Sequence, residues 1–297
     1  MTSSTLPLVS FLTLTYNQEQ YIYEAVMSGL QQDYLGQMEI IVQDDCSTDD
    51  TEQEVLRAIN DNPHPDRFHV KYAKNTHRQG LGGNMHDGLA RCKGDIIVYN
   101  DGDDVSFPDR VSEVVRIFQT HPDVMLVSGE IHWLCNGVKC PPKEPFPAEP
   151  RLRSIHDNIR NHMRHEIWGC TPAYRREVID KFPPMLTTTP TSDTWIQWRA
   201  FMLGNGKQSV YLGNKPCLYY RIHNRQLTGS QNMSKMKRTL IFRQYWKDWL
   251  YATTHRYIYI YISLRILPHL LHYGIAALLQ YNSLWRKYRL WIKQTTK

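Results

Sequence analysis

The chain has 297 residues, 41% of them hydrophobic and 22% charged, with 16 Gly and 16 Pro. That composition excludes a disordered, collagen-like or low-complexity protein, and the length allows one or two domains with a large core. The net charge of +6 is unevenly held: residues 234–297 carry twelve Lys/Arg against one acid, Asp248, so residues 1–233 are net acidic. An acidic body with a basic, aromatic tail bears on the choice of partner.

Six cysteines, Cys46, Cys92, Cys135, Cys140, Cys170 and Cys217, form no CxxC pair and no Cys/His zinc spacing. A chain of this size needs no disulfide staple, so they read as reduced thiols of a cytosolic protein. Residues 1–17 lack a basic n-region, and their apolar run reads as a strand and not as a secretory signal.

In chain order, residues 9–15 are β-branched and apolar, as a buried strand should be. Residues 21–31 place apolar side chains at helical spacing, and 38–42 form a second strand ending in Asp44 and Asp45. Residues 48–59 read as a helix with acids in its first turn, which suits the helix dipole. A strand over 68–72, a helix over 81–92 and a strand over 95–99 follow, and that last strand runs into Asn100-Asp-Gly-Asp-Asp104. A helix from Pro108 through Phe118 closes the series. Such β-α alternation predicts a mainly parallel, Rossmann-like sheet with helices on both faces. Ligands bind such sheets beyond the carboxyl ends of the strands, where both acid clusters fall. Further strands are expected over 124–128, 130–134, 209–212 and 217–222, and helices over 155–165 and 195–203. Residues 140–150 hold five prolines and read as a loop.

Four constellations carry chemistry. Asp101-Gly102-Asp103-Asp104 would gather carboxylates that repel one another unless a divalent cation compensates, and Gly102 lets backbone approach a ligand. A solvated turn is the plain alternative. Asp44 and Asp45 suit either hydrogen bonding to a base or ribose, or capping of the next helix, one role for each being possible. Asp193, before a Trp-rich helix, is a general base if it reaches a hydroxyl, and otherwise a helix cap. In Tyr219-Tyr-Arg-Ile-His223, His223 suits a metal and Arg221 a phosphate; a surface strand is the alternative.

Taken together, these segments resemble the inverting, nucleotide-sugar-dependent glycosyltransferases of family 2, which have the GT-A fold, in their bacterial cell-surface polysaccharide form. The resemblance rests on residues 9–17, on Glu39 to Thr51, and on Gly80 and Asn84. It continues through Gly94 to Asp104 with Pro108-Asp-Arg110, through Ser192-Asp193 with Trp195 and Arg199, and through Tyr220-Arg-Ile-His223. It spans residues 8 to 230. It implies that Leu14, Thr15, Tyr16, Asn17, Asp45, Gly80, Asn84, Asp101 and Gly102 form the nucleotide-sugar site, with Asp45 on the base and Asp101 near ribose and donor sugar. It implies that Asp103, completed by His223, binds Mn2+ or Mg2+ bridging the diphosphate. Asp193 is then the catalytic base, with Trp168, Ser192 and Trp195 on the acceptor side. Cys46 stands where the family usually has Gly, and Ser192 where it usually has Glu. The Gln-x-x-Arg-Trp signature of processive members is absent, so one sugar per acceptor encounter is expected.

The expected organisation is a catalytic domain over 1–233 and a helical, basic-aromatic extension over 234–297. Residues 266–281 carry no formal charge but fall short of the roughly 20 apolar residues that span a bilayer. The tail therefore suits an anionic membrane surface, with packing on the catalytic domain as the alternative. No recognition motif supports nucleic-acid binding. The expected partners are a nucleotide-sugar donor, expected to be UDP-linked, and a glycan or lipid-linked acceptor. The expected location is the cytoplasmic face of the plasma (inner) membrane. A nucleotidyltransferase-like sugar-nucleotide enzyme would carry a Gly-rich basic loop after the first strand, which residues 15–19 lack. A non-catalytic glycan- or membrane-binding module would not hydrolyse donor.

Overall fold

The computed structural model describes residues 6–135, 137–140, 142, 145–161, 166–188, 193–223, 235–255, 263–264 and 266–271, with backbone alone for 193 and 235–239. Its first half is the expected alternation. The strands are β1 (Val9–Thr15), β2 (Met38–Asp44), β3 (His69–Lys74) and β4 (Ile96–Asp101). The helices are α1 (Ile22–Leu30), α2 (Thr51–Asn60), α3 (Gly80–Arg91) and α4 (Arg110–Thr120). These strands pair in parallel in the order β3-β2-β1-β4. The order reverses between β1 and β4, and the crevice beyond that reversal is where such sheets take ligands.

β1 and β2 are buried along their whole length, and Ser10, Thr13, Glu39 and Gln43 are buried polar side chains within otherwise apolar runs. Successive side chains still alternate between faces. Leu12, Leu14, Ile41, Ile97 and Tyr99 meet α3 on one face. Val9, Phe11, Ile40, Val42, Ile96 and Val98 meet α1, α2 and α4 on the other.

The second half extends the sheet with mixed pairing through β5 (Val105–Ser106), β6 (Leu126–Cys135), β7 (Val138–Cys140), β8 (Arg151–Ser154), β9 (Ala173–Arg175) and β10 (Gln208–Ile222). The full path is β3-β2-β1-β4-β9-β6-β10-β5, with β7 on β6 and β8 on β10. The two strands expected over 124–134 are one strand, β6. Those expected over 209–222 are likewise one strand, β10, whose register shifts between Leu212 and Leu218 around Pro216. A proline inside a strand removes a ladder donor and is tolerated at such an irregularity. Short helices α5 (Ile155–Arg160) and α6 (Glu177–Asp180) precede α7 (Asp193–Gly204) and α8 (Lys235–Thr254). The helix expected to 165 ends at Arg160 among the described residues.

Cys135 and Cys140 are joined by a disulfide, which corrects the expectation that all six cysteines are reduced. The β6–β7 hairpin brings their Cα atoms to 6.0 Å, within bridging range. Cys46, Cys92, Cys170 and Cys217 are free thiols.

The described part of the extension packs on the catalytic fold. Ala252 of α8, with Ile266 and Leu270, joins the core cluster that holds Trp195, Ile196 and Phe201 of α7. Among the described residues no helix is long and apolar enough to cross a membrane.

A buried carboxylate of β2 pairs with a half-exposed lysine of the edge strand β3. Glu39 of β2 accepts from the Ser10 hydroxyl at 2.7 Å, from the Lys71 ammonium at 2.8 Å and from the Lys93 amide. Burial opposes its ionisation, but these three donors outweigh it and hold the carboxyl below its usual range. A depressed folded pKa gives stability that is present above the unfolded value of about 4.3 and lost as the pH falls through the folded value. Glu39→Gln is therefore expected to lower stability by about 1–2 kcal/mol at pH 7. The gap to wild type should narrow as thermal melts are repeated towards pH 3.5. An equal gap at both pH values would contradict this reading.

Candidate active site

The turn after β4 lies at the strand-order reversal. The Gly102 amide donates to Leu14 O at 2.9 Å, and the Asp104 amide to Asp101 O at 3.1 Å. A Cβ on Gly102 would collide with Gln18 Oε1 and lie 2.9 Å from Leu14 O, so the close approach requires glycine. Gln18, which the sequence did not single out, thus abuts this turn, and its Oε1 also accepts from Thr15 Oγ1 at 2.9 Å.

The four residues of the turn divide their labour. Asp101 Oδ1 accepts from the Tyr99 hydroxyl at 2.5 Å. Asp103 Oδ2 stands 2.8 Å from His223 Nε2, across 120 positions of sequence. Asp104 is fully buried and accepts from the Arg221 amide at 3.0 Å. Burial, then the charges of Asp103 and Asp101, push its carboxyl well above the ordinary range. Asp104 therefore braces the turn from behind, and Asp101 and Asp103 are the carboxylates of the rim.

Arg221, read as a possible phosphate ligand, is instead used in holding the turn. Its Nε donates to Asp103 O at 2.9 Å, and its Nη2 pairs with Glu24 of α1 at 2.5 Å. Its side chain is 10% exposed. The His223 ring packs on Tyr21, with centroids 4.6 Å apart. Arg110 secures the turn's other flank through Tyr99 O at 2.7 Å and Thr171 O at 3.0 Å.

The donor set Asp103 Oδ2 and His223 Nε2 fits a divalent cation. One carboxylate and one imidazole supply two ligands, and a diphosphate would supply oxygens for others. Among the described residues no group of three His, Cys, Asp or Glu forms a complete protein cage.

Both acids at the end of β2 are engaged. Asp44 Oδ1 accepts from the Ser47 amide and hydroxyl at 2.9 and 2.6 Å, and Oδ2 from the Tyr72 hydroxyl at 2.8 Å. Asp45 accepts from the amides of Gln79 and Gly80, both at 2.7 Å, and from Asn75 Nδ2 at 3.2 Å. Asp45 thereby ties the entry of α3, where Gly80 has φ +78°, to the end of β2. Asn84 is buried and donates to Gln43 O at 3.1 Å and Thr15 O at 3.4 Å, closing the same corner. Thr15 and Leu14 are buried in β1. Tyr16 is half-buried, and the Arg78 guanidinium, unremarked in the sequence, sits 4.1 Å from its ring centroid. Asn17, at φ 51°, donates its amide to Ser47 Oγ at 2.9 Å and accepts the Thr48 amide at 2.9 Å.

Cys46 has φ 63°, which explains why glycine suits this position. A left-handed conformation costs a side-chain-bearing residue roughly 1–2 kcal/mol. Glycine's extra freedom in the unfolded chain returns about 0.5–1 kcal/mol of that. Cys46→Gly is expected to stabilise the protein by up to ~1 kcal/mol in urea titration. A clear loss of stability would contradict the strain argument.

On the far side of the turn, Trp168 is 42% exposed and its Nε1 donates to Glu130 Oε2 at 3.0 Å. The Trp133 ring meets it edge-on, 6.0 Å away. The Tyr99 amide donates to Pro172 O, which sets this segment beside the end of β4. Trp195 is placed otherwise than an acceptor role requires: it is 1% exposed and belongs to the core of α7. Asp193 is the first residue of α7, and Ser192 lies outside the described residues. A cavity of about 290 Å³ opens at the amino end of β4, away from this rim. Its lining mixes Arg175 and Arg176 with Asp95, Glu177 and Asp180, and so selects no ligand class.

A doubly wound sheet with helices on both faces and acids at its switch point is the α/β architecture of the GT-A fold. Residues 10–182 match the profile of glycosyl transferase family 2. The chain belongs to that family. It is 28% identical over 227 residues to an uncharacterized glycosyltransferase of Nostoc sp., covering 72% of this chain and 65% of the relative, which is under two thirds of that protein's length. It is 25% identical to a Bacillus subtilis protein assigned to teichuronic acid biosynthesis as the glycosyltransferase TuaG, over 80% of this chain and 88% of that one. Over 112 residues it is 34% identical to a Campylobacter jejuni GalNAc(5)-diNAcBac-PP-undecaprenol β-1,3-glucosyltransferase, covering 37% of this chain and 34% of that one. The fold is similar to that of Staphylococcus aureus TarS 1-349 in complex with UDP-GlcNAc, with a TM-score of 0.64, 20% identity, and 94% and 74% of the two chains covered.

Proposed function

We propose that this protein is a metal-dependent, inverting glycosyltransferase that moves one sugar from a UDP-sugar to a hydroxyl of a glycan or lipid-linked acceptor in cell-surface polysaccharide or lipopolysaccharide assembly. The observation that carries the proposal is the meeting of Asp103 and His223 at 2.8 Å, beside Asp101 at the switch point of the sheet. The UDP-GlcNAc complex of TarS supports a uridine donor. The teichuronic acid and undecaprenol-linked assignments of two relatives support a cell-surface, lipid-linked acceptor.

In this reading Tyr16, Asn17 and Asp45 hold the nucleoside and Asp101 the ribose and donor sugar. Asp103 and His223 would hold Mn2+ or Mg2+, which neutralises the charge developing on the leaving diphosphate. Asp193 takes the proton of the acceptor hydroxyl as its oxygen bonds to the anomeric carbon. The bond from that carbon to the diphosphate oxygen breaks in the same step. Attack opposite the leaving group inverts the anomeric centre, with no covalent nucleophile on the protein. Trp168, exposed and held by Glu130, lies on the acceptor side. The catalytic domain is proposed to span 1–233. The extension, which exposes Leu250, Leu264 and Leu271, is proposed to touch the cytoplasmic face of an anionic membrane.

Incubating the protein with radiolabelled UDP-glucose, UDP-galactose or UDP-GlcNAc and bacterial lipid extracts tests the proposal. The expected result is label in the lipid fraction, dependent on Mn2+ or Mg2+, and a product whose anomeric configuration is opposite to the donor's. Retained configuration would overturn the mechanism. A folded protein that neither transfers nor hydrolyses any nucleotide sugar would favour a non-catalytic binding module.

A further inference from the structure

We propose that Gln244 and Asp248, on the C-terminal extension, are positioning residues for the transfer step, acting through α7 on Asp193. The inference rests on the reading of Asp193 as the base.

The described segments on both sides of Asp193 are tied to α8. Upstream, Leu186 N donates to Gln244 Oε1 at 2.8 Å, and Lys247 Nζ donates to Pro184 O at 2.9 Å. Downstream, the Tyr245 hydroxyl donates to Thr194 O at 3.4 Å, one residue from Asp193, and the Tyr245 and Trp198 rings lie 5.2 Å apart. At the centre, Arg199 Nε and Nη2 reach the two oxygens of Asp248, both at 2.9 Å. Arg199 Nη2 also donates to Pro183 O at 2.7 Å, and Gln244 Nε2 to Asp248 Oδ1 at 2.9 Å. The Arg199 and Asp248 side chains are 1% and 0% exposed, and Gln244 is fully buried.

An apolar helix face alone could dock α8 in several registers. A buried, bidentate Arg–Asp pair fits only one, because a slip along the helix strands both charges without water. Gln244 extends that register to the chain entering the base, since one amide group bonds both Asp248 and the Leu186 amide. Gln197 of α7 carries it further by accepting from the Glu166 amide at 3.2 Å, in the loop that leads to Trp168. The extension, the segment around the base and the acceptor-side loop thus share one rigid frame. A base displaced by about 1 Å can lose on the order of 10²-fold in rate, so the frame has a kinetic consequence.

The test uses the full chain with UDP-glucose and UDP-GlcNAc as donors, and with octyl β-glucoside, octyl N-acetyl-β-glucosaminide and water as acceptors. UDP release and UDP affinity in Mn2+ are measured. Asp248→Asn is the direct variant, and Gln244→Leu is the milder one should Asp248→Asn fail to fold. The expected result for Gln244→Leu is a kcat lowered about tenfold or more, with donor KM and UDP affinity within about twofold of wild type. A folded Gln244→Leu protein with wild-type kcat overturns the proposal. So does a parallel loss of kcat and UDP affinity, which would mark general loosening. Asp193→Asn separates the two readings: if it turns over like wild type, the base assignment fails and this inference with it. If it is inactive and Gln244→Leu is normal, the positioning inference alone fails.

Discussion

Asp193→Asn is expected to lower kcat for sugar transfer by about 10³-fold while UDP affinity stays within about twofold. The amide preserves volume but cannot take a proton from the acceptor hydroxyl. Asp193 opens α7, on a different element from the β1 and β4 ends proposed as the donor rim, so the two readouts should separate. Steady-state kinetics paired with calorimetric titration of UDP check this. If kcat and UDP affinity fall together, Asp193 belongs to the donor site or to the fold. If neither moves in a folded protein, the base lies elsewhere.

Asp248→Ala is expected to destabilise the protein by about 3–5 kcal/mol. The substitution leaves the Arg199 guanidinium buried with, among the described residues, the Pro183 and Val178 carbonyls and the Phe182 and Trp195 rings beside it and no counter-charge from Asp248. It also removes the partner of Gln244 Nε2. Replacing both charges, as Arg199→Met with Asp248→Leu, should recover most of the loss, because an apolar pair of similar volume carries no desolvation penalty. Urea denaturation of the two single and one double variants forms the cycle that measures this. A single-variant loss under about 1 kcal/mol would show that water reaches Arg199 and that the α7–α8 contact is loosely held.

The parallel half of the fold was legible because β1, β2 and β4 are buried runs rich in apolar and β-branched residues, and its helices place apolar side chains at helical spacing. The second half was less so. β5, β7 and β9 have two or three residues each and depend on pairing with distant partners. Pro216 broke β10 into two apparent strands, because the bulge that accommodates it is a tertiary feature. At the site, the acids of the turn after β4 stood out locally and His223 offered a metal-ligating imidazole, but its pairing with Asp103 came only from the family resemblance. Arg221 looked like a phosphate ligand, and its bonds to Asp103 O and Glu24 depend on β10 passing behind the turn. Asp45 and Asn84 were expected to face the nucleotide, yet most of their described bonds tie strand ends to α3. The Cys135–Cys140 bridge went unread because a five-residue separation has meaning only once a hairpin is known. The lone acid of the basic tail, Asp248, is the partner of Arg199, and 49 positions of separation hid that pair from any local pattern.

Calorimetric titration with UDP, with and without Mn2+, on wild type and on Asp103→Ala, tests the central assignment most directly. The expected result is metal-dependent binding by wild type and affinity at least tenfold weaker for the variant, a difference of about 1.4 kcal/mol. UDP binding that ignores both the metal and the substitution would contradict a metal-bridged diphosphate at Asp103 and His223.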